Sequence, residues 1–293
     1  MMKSILATIA LTGLSLSLAA QYGSIGFGFR AGLNYSKLNG PSESGPNGES
    51  LETFSMTNGF HIGAIVNFKF TDLVGMRAEF NYTQRGTQYE YNGPSYFELG
   101  KNTLQFITIY GTRKQTLDIS NAFVDIPVTG YYKLGKFEIF GGVNSGVLVA
   151  STGGGSITFN GKSPITGNDI SPFTVNLNHN YKADEAGAAS GEIQNVSVDG
   201  RNYGVPKTVG GYYDFATRDK NLFKTLDFGL IAGASYYLNE NLFLSARYIH
   251  GLGDVDRNEY DISLQSLQNN GDYVQRADTN KSQALPFSIG FSF

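Results

Sequence analysis

From Ile25 to Ser36 apolar residues alternate strictly with glycine, arginine, asparagine and serine. A two-residue period is the signature of a β-strand with one apolar face. Seven further segments repeat it: Phe60–Phe70, Val74–Arg85, Val124–Leu134, Phe137–Val149, Asp227–Leu238, Leu242–Gly251 and Leu285–Phe293. The charges within them are sorted. Arg30, Lys69, Arg77, Glu79, Arg85, Asp125, Lys133, Glu138, Asp227 and Arg247 all fall on the non-apolar face. The polar face of a soluble sheet meets water and carries many lysines and glutamates. Here it is instead rich in Gly, Ser and Asn, which suits the crowded interior of a narrow closed barrel. The apolar face is rich in aromatics near the strand ends, as an interfacial girdle requires.

The connections alternate in length. Long polar stretches (about residues 37–58, 87–121, 150–224 and 253–284) are interleaved with tight turns at Thr71-Asp72-Leu73, Gly135-Lys136 and Asn239-Glu240-Asn241. Transmembrane barrels have long loops outside the cell and brief turns on the periplasmic side. The expectation is therefore all-β: an antiparallel, up-and-down transmembrane β-barrel of eight strands. Short strands are also expected above the membrane at Leu104–Tyr110, Phe173–Leu177 and Ile193–Val198, and the count becomes ten if such a hairpin spans lipid.

Composition agrees. Charged residues make up 16% and aromatics 13% of 293 residues. Helical spans need roughly 20 consecutive apolar residues, and no such run occurs outside the N-terminus. Barrel strands need none, because lipid-facing and lumen-facing residues average out. A net charge of -3 gives no footing for a nucleic-acid partner. The absence of cysteine excludes disulfides, thiolate metal sites and a cysteine nucleophile. Met1-Met2-Lys3, the apolar stretch Ile5–Leu18 and the small residues at Ala19-Ala20 read as a cleaved signal peptide over residues 1–20. Residues 21–293 then form a single barrel domain in the outer membrane of a Gram-negative cell.

Four motifs carry a family resemblance. They are Phe29-Arg30-Ala31-Gly32-Leu33-Asn34-Tyr35-Ser36, the run Arg77–Gly86, the run Val124-Asp125-Ile126-Pro127-Val128 and the run Ala246–Leu252. In order and spacing the chain resembles the PorT-like outer-membrane β-barrel family, while its loops do not match. The resemblance implies an eight-stranded barrel that tolerates Pro127 in a strand. The namesake is associated with a protein secretion and gliding apparatus, most relatives have no assigned activity, and the third loop is longer than in compact members.

Arg30, Arg77, Glu79, Arg85, Asp125, Asp227 and Arg247 are expected to form a charge network that fills the lumen, because buried charges need partners. Counted from the short turns, Glu79 lies level with Arg30 and Arg247 and is expected to bridge to one of them. Lys133 and Glu138 flank one turn and are expected to pair. Pro127 is read as a bulge, and Gly141 and Ser145 as slips that face lipid. Phe287, Ile289, Phe291 and Phe293 match the C-terminal signal recognised by the barrel-assembly machinery. His250 near Asp254 and Asp256 is a rim arrangement from which a protease is built, more often incidental than catalytic. Asp254, Asp256, Asn258 and Asp261 miss a calcium loop, because Glu259 stands where glycine is needed. No cofactor is expected. The expected function is a non-catalytic barrel that presents its outer loops for binding or for envelope or secretion-apparatus assembly. The partner is unnamed, and the alternative is a small non-specific channel.

Overall fold

The computed structural model describes residues 24–293 except 102 and 104. The expected signal peptide lies outside the described residues. Eight strands form one antiparallel ring: β1 (Ser24–Asn39), β3 (Thr57–Lys69), β4 (Val74–Leu99), β5 (Ile107–Leu134), β6 (Phe137–Lys162), β10 (Leu226–Tyr237), β11 (Leu242–Gly251) and β14 (Lys281–Ser292). Each pairs with the next in that order. The β6–β10 ladder from Val147↔Leu226 to Phe137↔Tyr236, together with the β14–β1 ladder, closes the ring. The count is eight. The hairpins in the long third connection join the sheet above the ring and add no strand to it.

The ring follows from the alternation. Phe29, Phe80 and Phe137 stand on its outside at 59%, 60% and 64% exposure, within an apolar belt contributed by all eight strands. The arginines and carboxylates of the same strands point inward and are buried. Among the described residues no helix is long and apolar enough to cross a membrane. The crossing elements are strands, whose backbone groups pair with those of their neighbours around the closed ring. Small residues make room inside. A side chain at Gly290 would run into the Phe243 ring, and one at Gly146 into the Asp125 carboxylate.

Two expectations need correction. The stretch over residues 87–121 is not a loop. β4 and β5 run on above the belt and pair without a break in register to Leu99↔Ile107. Pro127 is not a bulge. Its ladder to β6 continues as Pro127↔Asn144, and that to β4 passes from Ala78↔Val128 to Asn81↔Asp125 at constant register, omitting the two pairs between. The missing N–H is thus absorbed as a local gap. The bulge sits in β6 instead, where Ala122↔Ala150 is followed by Phe123↔Leu148, so Val149 is the extra residue and the inward face of β6 switches phase there.

Beyond the belt, at the end opposite the short turns, lies a head. β2 (Glu52–Ser55) pairs with β4, and β7 (Phe173–Asn180) pairs with β6. β8 (Ala189–Val198) and β9 (Arg201–Val209) form a hairpin through Asp199-Gly200, both at positive φ, and β9 joins β7 in parallel. The short pair β12 (Ile262–Leu267) and β13 (Tyr273–Gln275) lies apart from the main sheet. The head has its own core, including Phe97, Leu99, Ile109, Leu117, Phe159, Phe173, Val175 and Val205.

Candidate functional site

The inward charges meet in three storeys. Lowest, near the turns, Arg77 forks onto Glu138, with Nη1 2.9 Å from Oε1 and Nη2 3.0 Å from Oε2. Arg77 Nε donates to Asn67 at 2.7 Å, and the Tyr237 hydroxyl donates to Glu138 at 3.1 Å. In the middle, Glu79 accepts from both Arg30 (3.0 Å) and Arg247 (2.9 Å), while Arg30 also reaches Ser288. Highest, Arg85 bridges Asp125 (3.0 Å) and Asp227 (2.8 Å) and lies over the Phe123 ring. All eight of these charged side chains are buried. Charge-assisted, partly bidentate bonds of this kind offset the cost of taking ions out of water. An apolar cluster of Leu38, Phe123, Leu148, Tyr181 and Phe223 packs on the head side of them.

All seven residues singled out in the sequence thus point inward, and six of them pair among themselves, Arg30 and Arg247 with Glu79 and Arg85 with Asp125 and Asp227. The seventh, Arg77, finds a partner the sequence reading assigned elsewhere. Glu138 does not bridge to Lys133. The two are register partners, but Glu138 is held across the lumen by Arg77, and the Lys133 ammonium sits 3.7 Å from the centre of the Tyr237 ring. Depth supplied the missed signal, because Glu138 and Arg77 each lie within a few residues of a short turn. His61 is buried between Asn34 (2.7 Å) and Ser288 (2.9 Å). His250 faces outward beside Tyr248, while Asp254 binds Lys224 at 2.8 Å and Asp256 accepts from Asn280 at 3.1 Å. Of the terminal residues, Phe287, Ile289 and Phe293 are exposed on the belt, and Phe293 exchanges backbone hydrogen bonds with Phe27.

The head encloses two adjoining chambers that the sequence did not reveal. One, of about 160 Å³, lies between the inner face of the extended sheet (Phe97, Arg113, Ile157, Val175, Leu177) and the covering segments that carry Tyr213 and Tyr260. The other, of about 200 Å³, is lined by Glu52, Asp256, Asp261, Arg276 and Asp278. Gln115, Tyr181, Leu222, Tyr260, Ile262 and Leu264 border both. Burial, reinforced by the neighbouring Asp254, pushes the Asp256 carboxyl up to about 8. Burial and Asp278 push Asp261 up to about 7. In an unfolded chain an aspartate ionises near 4. The folded loop therefore keeps protons that the unfolded chain releases, and its stability falls as pH rises from about 4 through about 8. Hydrogen-exchange protection over residues 253–280, corrected for intrinsic rates, is expected to be lower at about pH 9 than at about pH 5. Equal protection at both would remove this account of the cluster.

Among families of known proteins, the model of the outer membrane protein beta-barrel domain matches residues 19–257. No curated protein matches the sequence. Similar solved structures include Ail, the attachment invasion locus protein of Yersinia pestis, crystallised with the heparin analogue sucrose octasulfate, at 12% identity and TM-score 0.34, over 92% of this chain and 99% of that one. OprG from Pseudomonas aeruginosa is similar at 12% identity and TM-score 0.33, over 93% of this chain and 97% of that one. Neisserial surface protein A is similar at 13% identity and TM-score 0.30, over 92% and 99%.

Proposed function

Because the chain belongs to the outer membrane protein beta-barrel domain family, we propose that it is a non-catalytic anchor that displays its head outside the cell as a binding module. The observation that carries this reading is the filled lumen. Three storeys of ion pairs occupy the axis along which a solute would pass, and an apolar cluster packs on their head side. An eight-stranded barrel is just wide enough for its side chains to fill it. Meanwhile β4, β5 and β6 spend nearly half their length above the apolar belt, building a head with its own core. Long structured insertions of this kind are where a rigid scaffold carries recognition.

The finer placement follows the same reading. Cleavage near Ala20 delivers the chain to the periplasm, the barrel-assembly machinery inserts it with β14 as its recognition strand, and the short turns stay on the periplasmic side. The four motifs support a reading within the PorT-like branch, with an envelope or secretion-apparatus protein as a partner of the head. A non-catalytic role is supported by the engagement of Asp254 and Asp256 with Lys224 and Asn280 rather than with His250.

The test is electrical. Protein refolded in detergent, shown to be folded by heat-modifiable gel mobility, is expected to give no discrete conductance in a planar bilayer. Stable, repeated openings would instead make it a channel and overturn the reading.

A further inference from the structure

Every other buried arginine has a carboxylate at 3.0 Å or closer: Arg30 and Arg247 at Glu79, Arg77 at Glu138, Arg85 at Asp125 and Asp227. Arg113 has none within 4.0 Å among the described residues. It is 6% exposed and lines the smaller chamber. Its Nη1 donates to the Gln115 side chain at 3.2 Å and its Nη2 to the Tyr96 carbonyl at 2.9 Å, but its Nε has no acceptor. Both acceptors are neutral. The two carboxylates bordering that chamber lie with another cation: Glu98 receives Lys101 at 2.7 Å and the Tyr273 hydroxyl at 2.8 Å, and Asp214 stands 3.7 Å from the Lys101 ammonium. A buried guanidinium without a counter-charge is costly, and a ligand that supplies a carboxylate relieves that cost.

The adjoining chamber gathers carboxyl groups instead, and an ammonium ion entering it would take the place of the protons that Asp256 and Asp261 otherwise keep. Glu52, Asp256, Asp261 and Asp278 line it, and the cation bordering it, Arg276, is already engaged by Glu52 at 2.8 Å and Asp278 at 2.6 Å. Asp261 Oδ2 is buried with no hydrogen-bond partner. Both chambers also have apolar walls: Phe97, Ile157, Val175 and Leu177 in the first, Leu117, Ile119 and Phe223 in the second. An apolar cavity of about 150 Å³ takes up one benzene, so each chamber suits roughly one apolar side chain.

We propose that the head binds a short apolar peptide of about two residues, its carboxylate on Arg113 and its ammonium group among Glu52, Asp256, Asp261 and Asp278. Gln115, hydrogen-bonded to Arg113 and bordering both chambers, lies where the peptide backbone would pass. This rests on the reading of the head as the binding part of the protein and adds the chemical class of its ligand.

Calorimetric titration of the refolded full chain with the dipeptide Leu-Phe, its N-acetyl form and its C-terminal amide tests it. Leu-Phe is expected to bind, and each blocked form to bind roughly ten-fold or more weakly, because each leaves one buried charge unpaired. Arg113→Gln is expected to erase the preference for Leu-Phe over its amide, and Arg113→Lys to keep it. Asp261→Asn is expected to narrow the preference over the N-acetyl form. Heat-modifiable mobility confirms that each variant is folded, and the Lys variant keeps the test informative if the Gln variant is not. No binding of Leu-Phe, or equal binding of all three probes, overturns the proposal. So does loss on acetylation alone, which would describe a site for amines. A silent barrel with no titration removes only the ligand, whereas a conducting barrel removes the display reading itself.

Discussion

Glu79→Ala is expected to destabilise the barrel more than any other single change in its lumen. One carboxylate serves two guanidinium groups there, Arg30 at 3.0 Å and Arg247 at 2.9 Å, and both are buried. Removing one member of a buried pair costs about 3–5 kcal/mol, because the remaining charge is stranded. Here two are stranded, and Asn81, which donates to Glu79 at 2.9 Å, loses its acceptor as well. Urea-unfolding midpoints in detergent, read from heat-modifiable mobility, should fall accordingly. The triple variant Arg30→Met, Glu79→Leu, Arg247→Met should recover much of the loss, since well-packed apolar replacements strand no charge. An unchanged midpoint for Glu79→Ala would show that the middle storey contributes nothing to stability.

Phe159→Ala is expected to open the head and leave the barrel closed. Phe159 is fully buried and packs against Phe97 at 5.6 Å and Phe173 at 5.9 Å between ring centres. Truncating a buried phenylalanine costs about 3–5 kcal/mol. That loss falls on a core built from the upper parts of β4, β5 and β6 together with β7, β8 and β9, none of which contributes to the ion-pair storeys. Limited proteolysis should become rapid within residues 163–225 while the heat-modifiable band persists. Loss of that band would mean that head and barrel fold as one unit. Unaltered proteolysis would mean that the head core carries little of its stability.

The contrast between these sites shows what alternation can convey. Within the belt, lipid outside and ion pairs inside give the strand faces opposite chemistry, so all eight ring strands were legible. Above the belt the same strands continue, but their chemistry inverts. In β5 the inward positions change from Thr129 and Asp125 to Leu117 and Ile109, and the outward ones from Tyr132 and Ile126 to Thr116 and Lys114. Water now lies outside and a dry core inside. Read for an apolar outer face, that stretch looks like a polar loop. The extra residue Val149 hides the continuation of β6 in the same way, by shifting its phase. Asp199-Gly200 was a usable hairpin signal, and Phe173–Leu177 and Ile193–Val198 were recognisable as strands. The Arg113 chamber was not legible, because it is assembled from β4, β5, β6, β7 and segments about 100 or more residues further along. The Arg77–Glu138 pair joins β4 to β6 across the interior, a partnership that neighbour register does not encode.

The continuity of β4, β5 and β6 from ring to head, past the gap at Pro127 and the bulge at Val149, has a mechanical consequence. β5 is 28 residues long, and at about 3.3 Å per residue its contour is roughly 90 Å. No hinge interrupts it between the periplasmic-side turn and the head. A tug on a ligand held in the head therefore travels along the strands into the membrane-embedded ring and loads the inter-strand hydrogen bonds in shear, many at once, rather than peeling them singly. The molecule behaves as a stiff post. On the proposed reading of the head as a binding module, that stiffness fixes the height and orientation of a bound partner.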